Sequence, residues 1–210
     1  MIFFKMTRRN ELAMKATIFL LCLLPLARLV WLGFHDGLGA NPIEFVTRST
    51  GTWTLNFLLI TLAVTPARRL FDWAVLQHYR RMLGLYAFFY AVLHFLTYLW
   101  LDQFFDWHAI LKDIAKRPFI TVGFSAFVLL LPLAATSTNA MMRRLGRRWR
   151  QLHRLVYAIA ALGVIHYLWL VKKDLTQPLI YAAVLALLLG LRLLFARRPR
   201  AGLKGNPAML

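Results

Sequence analysis

The 210-residue sequence predicts an all-α integral membrane bundle of six transmembrane helices with both termini cytoplasmic, and three observations predict it. Hydrophobic residues make up 60% of the chain, and the mean hydropathy is +0.58. These residues gather into six runs close to the roughly 20 residues that cross about 30 Å of hydrocarbon. Lys and Arg outnumber Asp and Glu 26 to 8, a formal net charge of +18, yet most of that excess falls between the runs. A soluble nucleic-acid binder would carry such charge on a far more polar body, so no nucleic-acid partner is expected. The apolar content excludes a disordered chain, and the single cysteine, Cys22, excludes a disulfide scaffold.

The first run covers residues 16–34 behind Lys5, Arg8, Arg9 and Lys15. A basic prefix before an apolar stretch also marks a secretory signal. Here the stretch is longer than a signal core and no A-x-A site follows, so a retained span is expected. The second run, 52–66, is short, stops at Pro66 and starts as early as Ser49. Further runs at 82–101, 119–135, 152–171 and 178–195 complete the set. No internal repeat or Pro- or Ser-rich linker divides the chain, so one domain over 1–210 is expected, with too few residues after the last run for a soluble catalytic module.

Orientation follows from the cations. One side receives Lys5, Arg8, Arg9, Lys15, Arg68, Arg69, Arg80, Arg81, Arg143, Arg144, Arg147, Arg148, Arg150, Arg197, Arg198, Arg200 and Lys204. The other receives Arg48, Lys112, Lys116, Arg117, Lys172 and Lys173. Seventeen against six places the first side in the cytoplasm, where anionic membrane lipids are natural partners for basic loops. Trp31, Trp53, Trp100, Trp149 and Trp169 fall near run ends, as an aromatic belt requires.

Among six histidines, His35 and His108 fall in outer loops and His78 in an inner loop, where solvation explains them. His94, His153 and His166 fall within runs, where an ionisable side chain is costly and points to function. His94 lies 13 residues beyond Arg81, and His166 lies 13 beyond His153, which itself closely follows Arg150. Both therefore reach about 20 Å along outward-running helices, at a similar level in the outer half of the membrane. Two neutral imidazoles at one depth suit a six-coordinate haem iron. Ala87, Ala91 and Gly163 share faces with these histidines and allow close approach, which equally fits plain helix packing.

His153 sits at the cytoplasmic boundary, about 140° around a straight helix from His166, so serving a second haem there needs a local distortion. His78 and Arg80 are its candidate inner-site neighbours, and Arg80 or Arg81 suits a propionate by bidentate pairing. No C-x-x-C-H occurs, so any haem is b-type, one expected and a second possible; with one cysteine, a zinc site is not expected.

Three stretches then carry a family resemblance: HDGLGANPIEFVTRSTG from His35, RRMLGLYAFFYAVLHFLTY from Arg80 and ATSTNAMMRRLGRRWRQLHRLVYAIAALGVIHYLW from Ala135. The sequence resembles the MsrQ family, haem-binding membrane subunits of bacterial methionine-sulfoxide repair systems, within the ferric-reductase-like transmembrane superfamily. The resemblance spans about residues 10–195 and implies haem ligands at His94, His153 and His166. It implies electron entry from respiratory quinol or a cytoplasmic flavin reductase, and a periplasmic molybdopterin partner, MsrP, that reduces methionine sulfoxide. FMN is also implied, although no dinucleotide fingerprint is present. The wider superfamily places histidines 14 apart on the third helix; counting back from His94 gives Arg80 instead.

The expected function is thus an inner-membrane electron-transfer subunit rather than a catalytic one, docking its acceptor through loops 37–54 and 102–118. A related b-type ferric or quinone reductase is the near alternative. A haem-free transporter or assembly protein is the distant one, in which Arg28 inside the first run would line a polar path.

Overall fold

A computed structural model describes residues 7–73 and 75–197, and among these the chain is helical without a strand. The elements are α1 (Arg8–Phe34), α2 (Pro42–Phe71), α3 (Leu76–Leu96) continued by a π-helical turn (Thr97–Asp102), and α4 (Trp107–Lys116). There follow α5 (Pro118–Ala135), α6 (Asn139–Leu145), α7 (Arg147–Leu152), α8 (Leu155–Leu170) and α9 (Thr176–Arg197). Of the cations assigned above to the cytoplasmic side, Lys5, Arg198, Arg200 and Lys204 lie outside the described residues.

Five helical segments are long and apolar enough to cross a membrane: Arg8–Phe34, Leu76–Asp102, Pro118–Ala135, Arg147–Leu170 and Thr176–Phe195. The expected sixth, 52–66, lies within α2, a 30-residue helix. Thr50, Thr52, Thr54, Asn56, Thr61 and Thr65 interrupt the apolar character of α2. Its position makes this tolerable. α2 packs against α1, α3, α8 and α9, and buries nine residues. Neighbouring helices surround it, and hydroxyls such as Thr50 Oγ1 and Thr54 Oγ1 donate to the carbonyls four residues back, at 2.8 and 3.0 Å.

α2 begins well before residue 52 because Asn41 caps it. The Asn41 side chain accepts from the Glu44 amide at 3.2 Å and donates to the Glu44 carboxylate at 3.0 Å, with Pro42 at the first helical position. The expected loop 102–118 likewise contains a helix, α4, which Asp106 caps by accepting from the Ala109 amide at 3.0 Å. α4 buries Ile110 and exposes Trp107 and Leu111.

Two antiparallel hairpins, α2–α3 and α5–α8, form the centre, with α1 against the first and α9 against α2 and α8. Tyr90 Oη donates to the Cys22 carbonyl at 2.9 Å and accepts from the Leu26 amide at 3.2 Å, inserting into a hydrogen bond that a regular α1 would make to itself. Pro25 stands beside this opening, and side-chain insertion next to a proline is a recognised cause of helix bending. Tyr86 Oη donates to the Phe19 carbonyl at 2.9 Å, so α1 runs parallel to α3. Arg69 Nη1 donates to the Phe195 carbonyl at 2.8 Å. The start of α1, the end of α2, the start of α3 and the end of α9 therefore share one end of the bundle; α4 lies at the other.

Candidate functional site

His94, near the end of α3, and His166, in the last part of α8, meet between the two hairpins. Their ring centroids are 6.1 Å apart with planes at 73°. His94 Nδ1 is 2.9 Å from the Thr47 carbonyl, and His166 Nδ1 is 2.7 Å from the Phe119 carbonyl. A carbonyl only accepts, so each Nδ1 carries the proton and each neutral ring keeps its Nε2 lone pair free. That is the tautomer a metal-bound histidine needs, with the backbone fixing ring orientation.

The surrounding cavity has a volume of about 420 Å³, within the range of ordinary cofactor sites. Leu55, Leu58, Ala126, Leu130 and Ile159 give it an apolar wall. Ala91 and Gly163, the small residues expected beside the histidines, line it too. The π-helical turn begins three residues after His94 and contributes Tyr98 and Asp102. Arg48 and Arg117 line the rim at the α4 end, paired with Glu44 at 2.5 Å and Asp113 at 3.2 Å.

Two glycines that the sequence reading passed over set the approach of the rings. A Cβ on Gly123 would stand 2.7 Å from His166 Nδ1, and one on Gly51 would stand 3.0 Å from His94 Cε1. Each glycine lies four residues after the carbonyl that orients its histidine. The pattern repeats in register: Phe119 stands 72 residues after Thr47, Gly123 72 after Gly51, and His166 72 after His94. The two hairpins thus supply their histidine, glycine and orienting carbonyl at the same spacing along the chain.

The remaining candidates lie elsewhere. His153 caps α7 at a break before α8, so the local distortion anticipated there exists. Its ring stacks on Trp149 with centroids 4.0 Å apart, and its Nε2 is 3.1 Å from Thr136 Oγ1. That hydroxyl donates to the Pro132 carbonyl at 2.6 Å, which leaves His153 Nε2 as the donor, opposite to the tautomer of the other pair. Arg80 is partly buried near the start of α3. Arg81 is exposed and donates to Asn139 Oδ1, and His78 is exposed on the first turn of α3. Neither Arg80 nor Arg81 lines the cavity; Arg48 and Arg117 do. Arg28 is exposed on α1, with its guanidinium 6.0 Å from the Phe45 ring centre.

Residues 49–164 match a family model described as the ferric reductase like transmembrane component, more than half of the chain. A Herminiimonas arsenicoxydans protein called protein-methionine-sulfoxide reductase heme-binding subunit MsrQ is 59% identical over 190 residues, covering 89% of this chain and 87% of its own. The chain belongs to the MsrQ family. Relatives bearing the same name from Ralstonia nicotianae and Rhodospirillum rubrum are 62% and 58% identical. They cover 86% and 90% of this chain and 84% and 91% of their own lengths. Membership in the MsrQ family, together with five apolar helices, makes this a multi-pass membrane protein. The family model includes His94 and His153 and ends two residues before His166.

The donor set fits a haem. A ring nitrogen about 2 Å from a metal puts its ring centroid about 3 Å away, so two rings sharing one iron would have centroids up to about 6 Å apart. The observed 6.1 Å meets that requirement. Among the described residues no group of three or more His, Cys, Asp or Glu converges on a metal position. A porphyrin supplies four nitrogens of its own, so two protein ligands suffice.

Proposed function

We propose that this chain is a b-type cytochrome of the bacterial inner membrane, with one haem held between His94 and His166. The observation that carries the proposal is the pair of imidazoles 6.1 Å apart, each held in the Nε2-accepting tautomer by a backbone carbonyl. His94 and His166 would hold the haem, which when bound would supply a one-electron carrier suited to outer-sphere electron transfer. Thr47 and Phe119 orient the ligands and raise their basicity by accepting the Nδ1 protons. The apolar wall keeps water from the iron position. Arg48 and Arg117, rather than Arg80 and Arg81, are placed for the propionates at the rim.

All six long helices, α2 included, cross the membrane in this reading, and the basic end that carries both described chain ends faces the cytoplasm. The cavity then opens toward the periplasm, where the protein delivers electrons to a methionine-sulfoxide reductase catalytic subunit, MsrP. The names of the relatives support this partnership. α4, with exposed Trp107 and Leu111, and the N-terminal turns of α2 form the docking face. Quinol or a cytoplasmic flavin reductase supplies the electrons, and FMN rests on the family resemblance alone. His153 stands outside the haem pair in this assignment.

The test is haem content in His94→Ala and His166→Ala. Both variants are expected to lose the Soret band while remaining membrane-inserted. Wild-type-like absorbance in both would overturn the assignment. Colourless wild-type protein despite haem supply would favour the transporter reading.

A further inference from the structure

Arg28 stands inside the first apolar run, yet no hydrogen bond or ion pair engages its guanidinium among the described residues, whose two ion pairs are Arg48–Glu44 and Arg117–Asp113. The Phe45 ring, centred 6.0 Å away, is a weak cation–π neighbour. An arginine in a span ordinarily has a partner, because its charge is costly there.

The side chain lines an open groove of about 640 Å³ between α1 and α2. No residue lines both this groove and the histidine cavity. Leu21, Leu24, Pro25 and Trp31 of α1 form one wall and Trp53 of α2 the other. Steps of three, four, seven and ten residues from Leu21 keep the α1 wall, Arg28 included, on one face of the helix. Leu21, Leu24 and Trp31 are each more than half exposed, which in a multi-pass membrane protein means exposure to lipid.

The groove has a polar end and an apolar end. Arg28 lies seven residues beyond Leu21, about 10 Å along α1. Its guanidinium reaches the level of Phe45, in the first turn of α2. At that end His35 stacks on Trp31 with ring centroids 3.8 Å apart, and its Nδ1 donates to the Trp31 carbonyl at 2.8 Å. This holds an indole where a membrane boundary favours one. From Arg28 inward the lining is wholly apolar, through Pro25 and Leu24 to Leu21.

We propose that this groove binds one anionic phospholipid, with its phosphate on Arg28 and an acyl chain along Pro25, Leu24 and Leu21. Charge and shape select this occupant together. A planar guanidinium matches phosphate oxygens two at a time. A free phosphate would fill the polar end and leave the apolar track uncovered. A zwitterionic lipid brings its own ammonium, whereas phosphatidylglycerol brings a net negative charge to a guanidinium that has no other anion. In the orientation proposed above the lipid comes from the periplasmic leaflet, and that clause alone rests on the proposed function.

The test is native mass spectrometry of the full-length protein in detergent, titrated with phosphatidylglycerol or phosphatidylethanolamine, which counts retained lipid without reference to leaflet. The wild type should retain one phosphatidylglycerol about tenfold more tightly than phosphatidylethanolamine, and Arg28→Gln should lose about that factor. Arg28→Lys, which keeps a cation, should retain part of it. Leu24→Trp, which keeps the arginine but fills the apolar track, should also weaken retention. Lys112→Gln removes an exposed cation of α4 outside the groove and should change nothing.

All four variants should keep the Soret band, since the groove and the histidine cavity share no lining residue, so failure here is distinct from failure of the haem assignment. The inference is overturned by equal retention of the two lipids in the wild type, or by undiminished phosphatidylglycerol retention in Arg28→Gln. A loss in Lys112→Gln as large as that in Arg28→Gln would overturn it too, because bulk charge would then be the cause. So would a quinone retained in place of the phospholipid and lost in Arg28→Gln.

Discussion

The two ends of the bundle treat their histidines in opposite ways. Toward α4, His94 and His166 are neighbours, and each hairpin supplies, 72 residues apart, one histidine, one glycine against its ring and one orienting carbonyl. At the other end the equivalence fails, because the residue 72 before His153 is Arg81, and Arg80 precedes it. The tautomers diverge with the sequence. His94 and His166 give their Nδ1 protons to carbonyls and keep Nε2 for a ligand, whereas His153 spends Nε2 on Thr136. A shared helix can thus hold one imidazole with its Nε2 free at one end and another with its Nε2 engaged by a hydroxyl at the other. The second partner of each imidazole, more than its presence, decides which.

The largest expected effect tests the equivalence of the two hairpins. His94→Ala and His166→Ala should lose haem to the same extent, because in the proposed site each hairpin contributes one ligand with one orienting carbonyl. Retention of roughly half or more of the Soret band in just one variant, measured as haem per protein, would show that the hairpins are unequal and that one histidine dominates; residual binding by a single axial ligand is the known chemistry of other haem proteins.

A smaller effect should follow from the glycines, in a defined order. A Cβ at residue 123 meets His166 Nδ1 at 2.7 Å, inside any real contact, while one at residue 51 meets His94 at 3.0 Å, where a shift of a few tenths of an ångström suffices. Gly123→Ala should therefore weaken haem retention by roughly ten- to a hundredfold, the usual cost of disturbing a ligand's orienting shell. Gly51→Ala should cost about tenfold or less by the same reasoning. Alanine is about 1 kcal/mol better than glycine within a helix, so helicity by circular dichroism should hold in both. Loss of haem together with loss of helix content would instead mean that the glycines serve packing alone.

The sequence made some of this legible for clear physical reasons. Five apolar runs announced themselves as spans because lipid demands apolar surface along the whole helix. His94 and His166 could be matched in depth because helix rise is constant. α2 was read short because burial among neighbouring helices excuses its threonines and Asn56 from the hydropathy rule. α4 was read as loop since Asp106 caps a helix only ten residues long. The common spacing of the two sets carried no signal, because only the histidine and the glycine are identical between them. Gly51 and Gly123 carried no signal in one sequence, where a glycine in a membrane helix has many ordinary explanations.

The smallest expected effect bears on His153 and sharpens the contrast between the ends. Its ring stacks on Trp149, and its Nε2 donates to a hydroxyl already anchored on the Pro132 carbonyl. His153→Ala removes one hydrogen bond and one stacking contact but leaves Thr136 and Trp149 tied to the backbone, since Trp149 Nε1 donates to the Thr136 carbonyl at 2.9 Å. The loss should be about 1 to 2 kcal/mol of stability, read as a modest fall in the unfolding midpoint. Under the proposed single-haem assignment, haem per protein should stay at the wild-type value. A halved stoichiometry would mean that His153 exchanges its proton donor role for ligation when haem is present, and the two ends would then differ in affinity rather than in kind.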